Sequence, residues 1–220
     1  MSSFERISLA LSIFVSAMLS YKCYIPPNTV PTKSDYPEGR IIWFSLILML
    51  YTLQMAIILF PSHRSNFCAH PEGLNEELFR WSSWRTLTYL GLVWICAPLR
   101  IGAFSGLGEN FTFVVTQPKK LVTTGVYSWI QHPSYTGVIG LRVADTILLQ
   151  RADGVGACVL PESVARIPWL SDTVGALLMV PILMVAFVRV REEEKVLKDT
   201  FGREWETWHA RTRRFVPGLF

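Results

Sequence analysis

Charge is scarce in this chain. Only 17% of its 220 residues are Asp, Glu, Lys or Arg, half are hydrophobic, and the mean hydropathy is +0.32. That balance excludes an ordinary soluble domain, while the clustering of the remaining charges excludes a chain made of membrane spans alone. Cysteine is scarce too. Cys23, Cys68, Cys96 and Cys158 are widely spaced and form no C-x-x-C, which indicates neither a zinc site nor a disulfide framework, and no metal is expected. The basic excess is only +4 and gathers beside the last hydrophobic run, so anionic lipid headgroups are its natural partner and nucleic acid is not. A small-residue cleavage site is missing after the first apolar run, which ends at Tyr21, Lys22 and Pro26. That run therefore reads as a retained span, not a signal peptide.

What the chain does have is long apolar runs. Five of them, 7–24, 41–60, 86–104, 135–150 and 169–188, approach the length needed to cross hydrocarbon at helical rise. The expectation is an all-α, polytopic membrane protein, a single domain over 1–220, with 189–220 outside the bilayer. A Pro-rich link at 26–40 follows the first run, and Pro61 stops the second. In the polar 62–85 region, residues 75–80 with Trp81 and Trp84 suit a short helix at the membrane interface. Arg100 lies near the end of the third run, where it is expected to snorkel. Gly102 and Gly106 form a small-xxx-small pair for helix packing. Arg142 and Asp145, three apart, share a helix face and are expected to pair or to face the protein interior. Pro181 is a potential kink. Beyond Val188 a charged helix runs to about Thr200 and breaks at Phe201-Gly202, and 205–214 suits a membrane-surface helix. The Lys and Arg distribution puts 121–137 and 189–220 together on the cytosolic side, with the amino terminus opposite.

Two stretches carry chemistry. In 121–137, LVTTGVYSWIQHPSYTG, Pro133 suits the first position of a helix because it has no N–H to satisfy and a helical φ. His132 then becomes the N-cap, and the first-turn amides of Ser134 and Tyr135 offer a place for an anionic group. Further on, Arg189 and Glu193 lie four apart on one helix face. Taken alone they are a surface ion pair worth about 0.3–0.5 kcal/mol.

Taken together the two stretches say more. GVYSWIQHPSYTG (125–137), preceded by NFTFVV and LVTTG, resembles the core of the isoprenylcysteine carboxyl methyltransferases, and FVRVREEEKVLKDTFG (187–202) resembles that family's C-terminal signature. The resemblance implies an integral membrane enzyme using S-adenosylmethionine to methylate the α-carboxylate of a C-terminal isoprenylated cysteine. Its substrates would be prenylated, CaaX-processed proteins or peptides, at the cytosolic face of the endoplasmic reticulum. It implies cofactor contacts from Tyr127, His132, Pro133, Ser134, Tyr135 and Glu193, a second set from Lys119, Lys120, Leu121 and Val122, and one more at Thr116 or Gln117. Arg189 is the implied substrate and catalytic residue, with Arg191 competing if the register slips. The chain departs from the pattern at Gln131, where the family usually has arginine, at the shifted Thr116/Gln117, and in the long 151–168 connection. Its rivals are a membrane methyltransferase acting on a lipid or small amphiphile, a reductase of the sterol-reductase type, and a non-catalytic scaffold with a decayed site.

Overall fold

The computed structural model describes residues 1–25, 27, 39–111, 117–165, 167 and 169–215, with the backbone alone for 39–44 and 109. Helix α1, Ser3–Tyr24, starts at a capping box in which Ser2 and Glu5 each satisfy the other's backbone N–H. Leu9, Ile13, Ser16, Ala17 and Ser20 form its buried stripe, while Leu11, Phe14, Val15 and Met18 stay exposed. Helix α2, Gly39–Leu59, stops before Pro61. Helix α3, Trp84–Leu107, continues through Pro98. Helix α4, Pro133–Leu148, packs most extensively on α3.

Helix α5, Leu170–Phe201, stays helical through Pro181. Its 32 residues span about 48 Å, more than the roughly 30 Å of bilayer hydrocarbon. The polar half therefore projects beyond the apolar half. Gly202, at φ +50°, takes a left-handed conformation that L side chains rarely adopt, and it reverses the chain into α6, Arg203–His209.

Among the described residues, three helices are long and apolar enough to cross a membrane: α1, α3 and α5. In α2 the described apolar stretch, Ser45–Leu59, is shorter. Helix α4, expected as a span over 135–150, has only 16 residues, about 24 Å. The exposed apolar faces, such as Leu177, Leu183, Met184 and Phe187 on α5, suit a hydrocarbon solvent.

Several sequence expectations need correction. Arg100 does not snorkel: it is 6% exposed, donating from Nε to Cys23 O (2.7 Å) and from Nη1 to Ser134 O and Oγ (both 2.8 Å). Gly102 and Gly106 admit the 125–128 turn, through Val126 and Tyr127, instead of a helix. Helices α3 and α4 approach closely at two glycines: a Cβ at Gly137 would fall 2.7 Å from Arg100 Cβ, and one at Gly140 would collide with Cys96 Sγ. The 75–84 region forms a 3₁₀ turn, Glu76–Phe79, that buries Leu78 and Phe79, although Trp84 is exposed. Segment 205–214 is not a surface helix, because Trp205 and Trp208 turn inward onto Tyr127 and Ala103. Finally, Cys68 and Cys158 form a disulfide across 90 residues. Their separation is what concealed the pairing.

The expected Arg142–Asp145 pair is present at 3.6 Å. Asp145 also accepts from Tyr24 and Tyr51, each at 3.1 Å, and Tyr51 receives a bond from Tyr89 at 3.0 Å. Four helices thus share one buried carboxylate. Asp145→Ala removes the carboxylate that Arg142 and both phenols share at the centre of the bundle, so its unfolding free energy in detergent is expected to fall by about 3–5 kcal/mol. Tyr24→Phe, which removes one donor, is expected to cost about 1 kcal/mol in the same measurement.

Candidate functional site

At the end of the bundle where α3 finishes and α4 begins lies a cavity of about 410 Å³, within the roughly 300–1,000 Å³ of small-ligand sites. The local sequence explains its wall. Gly125, at φ +62°, opens a 3₁₀ turn, Gly125–Ser128, that drops Tyr127 onto α3, with its hydroxyl donating to Ala103 O at 3.3 Å. His132 is the N-cap of α4 and Pro133 its first residue, as their chemistry requires. Thr136 N–H donates to His132 O at 3.1 Å, closing the first turn of α4. The opening turn of α4 therefore faces the cavity with its positive dipole end.

The polar part of α5 forms the opposite wall. Glu193 accepts from Tyr135 Oη at 2.6 Å and lies 3.6 Å from His132 Nδ1. Glu194 Oε1 lies 3.3 Å from His132 Nε2 and also meets Arg214 Nε at 2.8 Å. Arg189 reaches Glu192 at 3.7 Å. Glu193 is thus committed across the cavity, not only along its own helix. Leu121 and Val122 together with Val196, Leu197 and Trp208 supply apolar surface, and Val138 and Val185 line the cavity between α4 and α5.

Of the residues expected from sequence, Tyr127, His132, Pro133, Ser134 and Tyr135 all line this cavity, as do Lys120, Leu121 and Val122 and, from α5, Arg189 and Glu193. Lys119 is exposed and is not part of the lining. Gln117 is exposed and donates to Thr200 Oγ1 at 3.3 Å, which turns it toward α5 instead of the cavity. Thr116 lies outside the described residues. Arg191 is exposed and stacks over Phe187, its guanidinium carbon 4.3 Å from the ring centroid, so Arg189 is the arginine that faces inward. Sequence reasoning missed Arg100 and Trp208 as lining residues. For Arg100 the available signal was its position two turns before Leu107 on the helix that α4 covers.

The acid–base character follows from these contacts. Burial disfavours the His132 imidazolium, but hydrogen bonds to Glu193 and Glu194 and the charges of those carboxylates more than offset it, so the pKa lies above the ordinary histidine value. Burial pushes the Tyr127 phenol up, keeping it neutral. No cluster of three or more His, Cys, Asp or Glu suited to a metal occurs among the described residues. The arrangement can hold a polar, partly cationic ligand against Glu193 and an anionic group near Arg189 or the start of α4.

A helical, membrane-type chain with a mixed polar and apolar cavity at one end is the class that fold and site define. Residues 89–168 match the isoprenylcysteine carboxyl methyltransferase (ICMT) family. A protein-S-isoprenylcysteine O-methyltransferase of Dictyostelium discoideum is 25% identical over 155 residues, 66% of this chain and 57% of that protein. The Xenopus laevis protein of the same name is 37% identical over 139 residues, 61% of this chain and 41% of its own length. The Homo sapiens protein is 37% identical over 71 residues, 30% of this chain and 25% of its own. The chain thus spans between about a quarter and somewhat over half of these relatives.

The raised His132 pKa sets a pH dependence. A group whose folded pKa exceeds its unfolded value of about 6.5 contributes stability that is fully present below that value and lost as pH rises through the folded pKa. His132→Gln is therefore expected to destabilise the protein more at mildly acidic than at alkaline pH. Detergent unfolding at both pH values checks this, and an equal loss at the two contradicts the pairing.

Proposed function

We propose that the chain is an S-adenosylmethionine-dependent methyltransferase acting on the α-carboxylate of C-terminal isoprenylated cysteine. The observation that carries this reading is the convergence of His132–Tyr135 and Arg189–Glu193 on one cavity from segments some 58 residues apart. The donor set suits the cofactor. Glu193 would accept from its ammonium or ribose hydroxyls, the start of α4 would receive its carboxylate, and Leu121, Val122 and Leu197 would pack on its apolar parts. When bound, the sulfonium supplies an electrophilic methyl group.

The remaining work belongs to the protein. A substrate α-carboxylate has a pKa of roughly 3.5, so it is ionised at neutral pH and needs no general base. Arg189 would bind that carboxylate through its planar, permanent charge and aim one oxygen at the methyl carbon. Methyl transfer to that oxygen would make an O–C bond at the expense of the S–C bond, whose electron pair would stay on sulfur. The apolar lining would exclude water from the nucleophile and align the two partners.

The orientation belongs to the same proposal. We read α1 to α5 as five spans of one domain, with the cavity and the 189–220 segment cytosolic and the membrane that of the endoplasmic reticulum. The Cys68–Cys158 disulfide joins the α2–α3 and α4–α5 connections. By helix direction that end is opposite the cavity. Disulfides persist in oxidising compartments, which supports placing that end outside the cytosol.

Glu193→Ala is expected to weaken S-adenosylhomocysteine binding roughly ten- to hundred-fold by calorimetry, the scale of a lost hydrogen bond to a charged group. Arg189→Ala is expected to lower turnover of a farnesyl-cysteine analogue by a similar factor while leaving cofactor affinity nearly unchanged. Methyl incorporation into phospholipid in preference to the farnesyl-cysteine analogue would instead favour a lipid substrate. Binding of NADPH but not S-adenosylhomocysteine would overturn the methyltransferase reading, and no effect of either variant would point to a scaffold. An engineered glycosylation acceptor in the 61–83 connection is expected to be modified in microsomes, and one beyond residue 202 is not.

A further inference from the structure

We infer that Arg214, seated by Gln131, is a positioning residue for the cavity, acting on His132 through Glu194. The inference rests on the proposed use of this cavity for S-adenosylmethionine.

The chain after α6 runs parallel to 129–132. Gln131 N–H donates to Arg213 O at 2.7 Å, His132 N–H to Arg214 O at 2.9 Å, and Arg213 N–H to Trp129 O at 3.3 Å. Ile130 and Arg213 form a parallel bridge. The Gln131 side chain, 4% exposed, commits to the same segment. Its Nε2 donates to Thr212 O (2.9 Å), Thr212 Oγ1 (3.0 Å) and His209 O (3.1 Å), and its Oε1 pairs with His209 Nδ1 at 2.8 Å. One buried amide thus fixes the register of the whole segment.

That register delivers Arg214 to Glu194 as a fork, Nε to Oε1 at 2.8 Å and Nη2 to Oε2 at 2.9 Å. Both oxygens are held, and Oε1 also faces His132 Nε2 at 3.3 Å. The other ring nitrogen faces Glu193. His132 is 5% exposed and lines the cavity, whereas Arg214 is half exposed and lies outside the lining. Arg214 therefore touches the ligand site only through Glu194 and the imidazole. Removing its positive charge leaves His132 between two carboxylates with one cation fewer nearby, which favours the imidazolium further. The groups facing His132 are Glu193 and Glu194 from α5, Arg214 from the parallel segment, His209 from α6 and Tyr135 from α4, the last with its ring centroid at 6.0 Å.

The test is calorimetric titration of the full-length protein in detergent with S-adenosylhomocysteine across pH, for wild type, Arg214→Ala, Arg214→Lys and Gln131→Ala. Arg214→Ala is expected to weaken binding roughly ten- to hundred-fold, with Arg214→Lys intermediate because it restores charge without the fork. Because the imidazolium ties Glu193 and Glu194 together at the cavity wall, wild-type affinity is expected to fall as pH rises through the His132 pKa, and that fall is expected to move upward in pH in Arg214→Ala. Gln131→Ala is expected to reproduce the loss by releasing the segment. If wild type binds and Arg214→Ala binds equally well, or loses affinity with the alkaline limb unmoved and no rescue by lysine, the positioning role is wrong while the cofactor reading stands. If wild type itself does not bind, both are overturned.

Discussion

The contact on which the remaining structure depends is the crossing of α3 and α4 at Arg100 and Gly137. A guanidinium is costly in an apolar bundle unless its donors are satisfied, and here they go to Cys23 O on α1 and to Ser134 on α4. Those bonds require the two helices to approach so closely that only glycine fits at 137. One buried cation therefore fixes three helices and the direction in which α4 begins. Everything built on that first turn, including the His132 cap and the Tyr135 hydroxyl, inherits its placement from this crossing.

The cavity is then a matter of bringing a distant helix to a prepared edge. Helix α5 is long enough that its apolar half packs beside α4 while its polar half reaches past the bundle. Three consecutive glutamates divide the work there. Glu192 stays with Arg189, Glu193 crosses to Tyr135, and Glu194 joins His132 to Arg214. Because successive helical positions point about 100° apart, the run reaches different neighbours, and the two carboxylates that share His132 take its opposite ring nitrogens.

Local chemistry was legible in the sequence and remote pairing was not. The Pro133 start, the His132 cap, the Gly202 break and the buried Arg142–Asp145 pair all depend on residues within four positions of one another. The likeness of two stretches to one family also foretold that 127–135 and 189–193 would meet. By contrast, the inward turn of Trp205 and Trp208 depends on Tyr127 being beneath them, some 80 residues away. Gln131 looked like the loss of a cation, and its purpose appears only once the 209–214 segment lies alongside it. Arg100 was placed at a membrane end by its position in a hydropathy run, which carries no information about Ser134. The disulfide partners were similarly hidden by 90 intervening residues.

That sulfur bridge makes a covalent ring containing the whole of α3 and α4, together with the turn that carries Tyr127. Chain-entropy reasoning gives a ring of this size about 4–5 kcal/mol against the open unfolded chain. Helix α5 and the residues after it lie outside the ring, joined to it by the chain after Cys158 and by side-chain and backbone contacts. The molecule is thus divided into a laced half and an unlaced half, with the cavity along the seam. Any widening that lets a ligand in or out falls to the unlaced side.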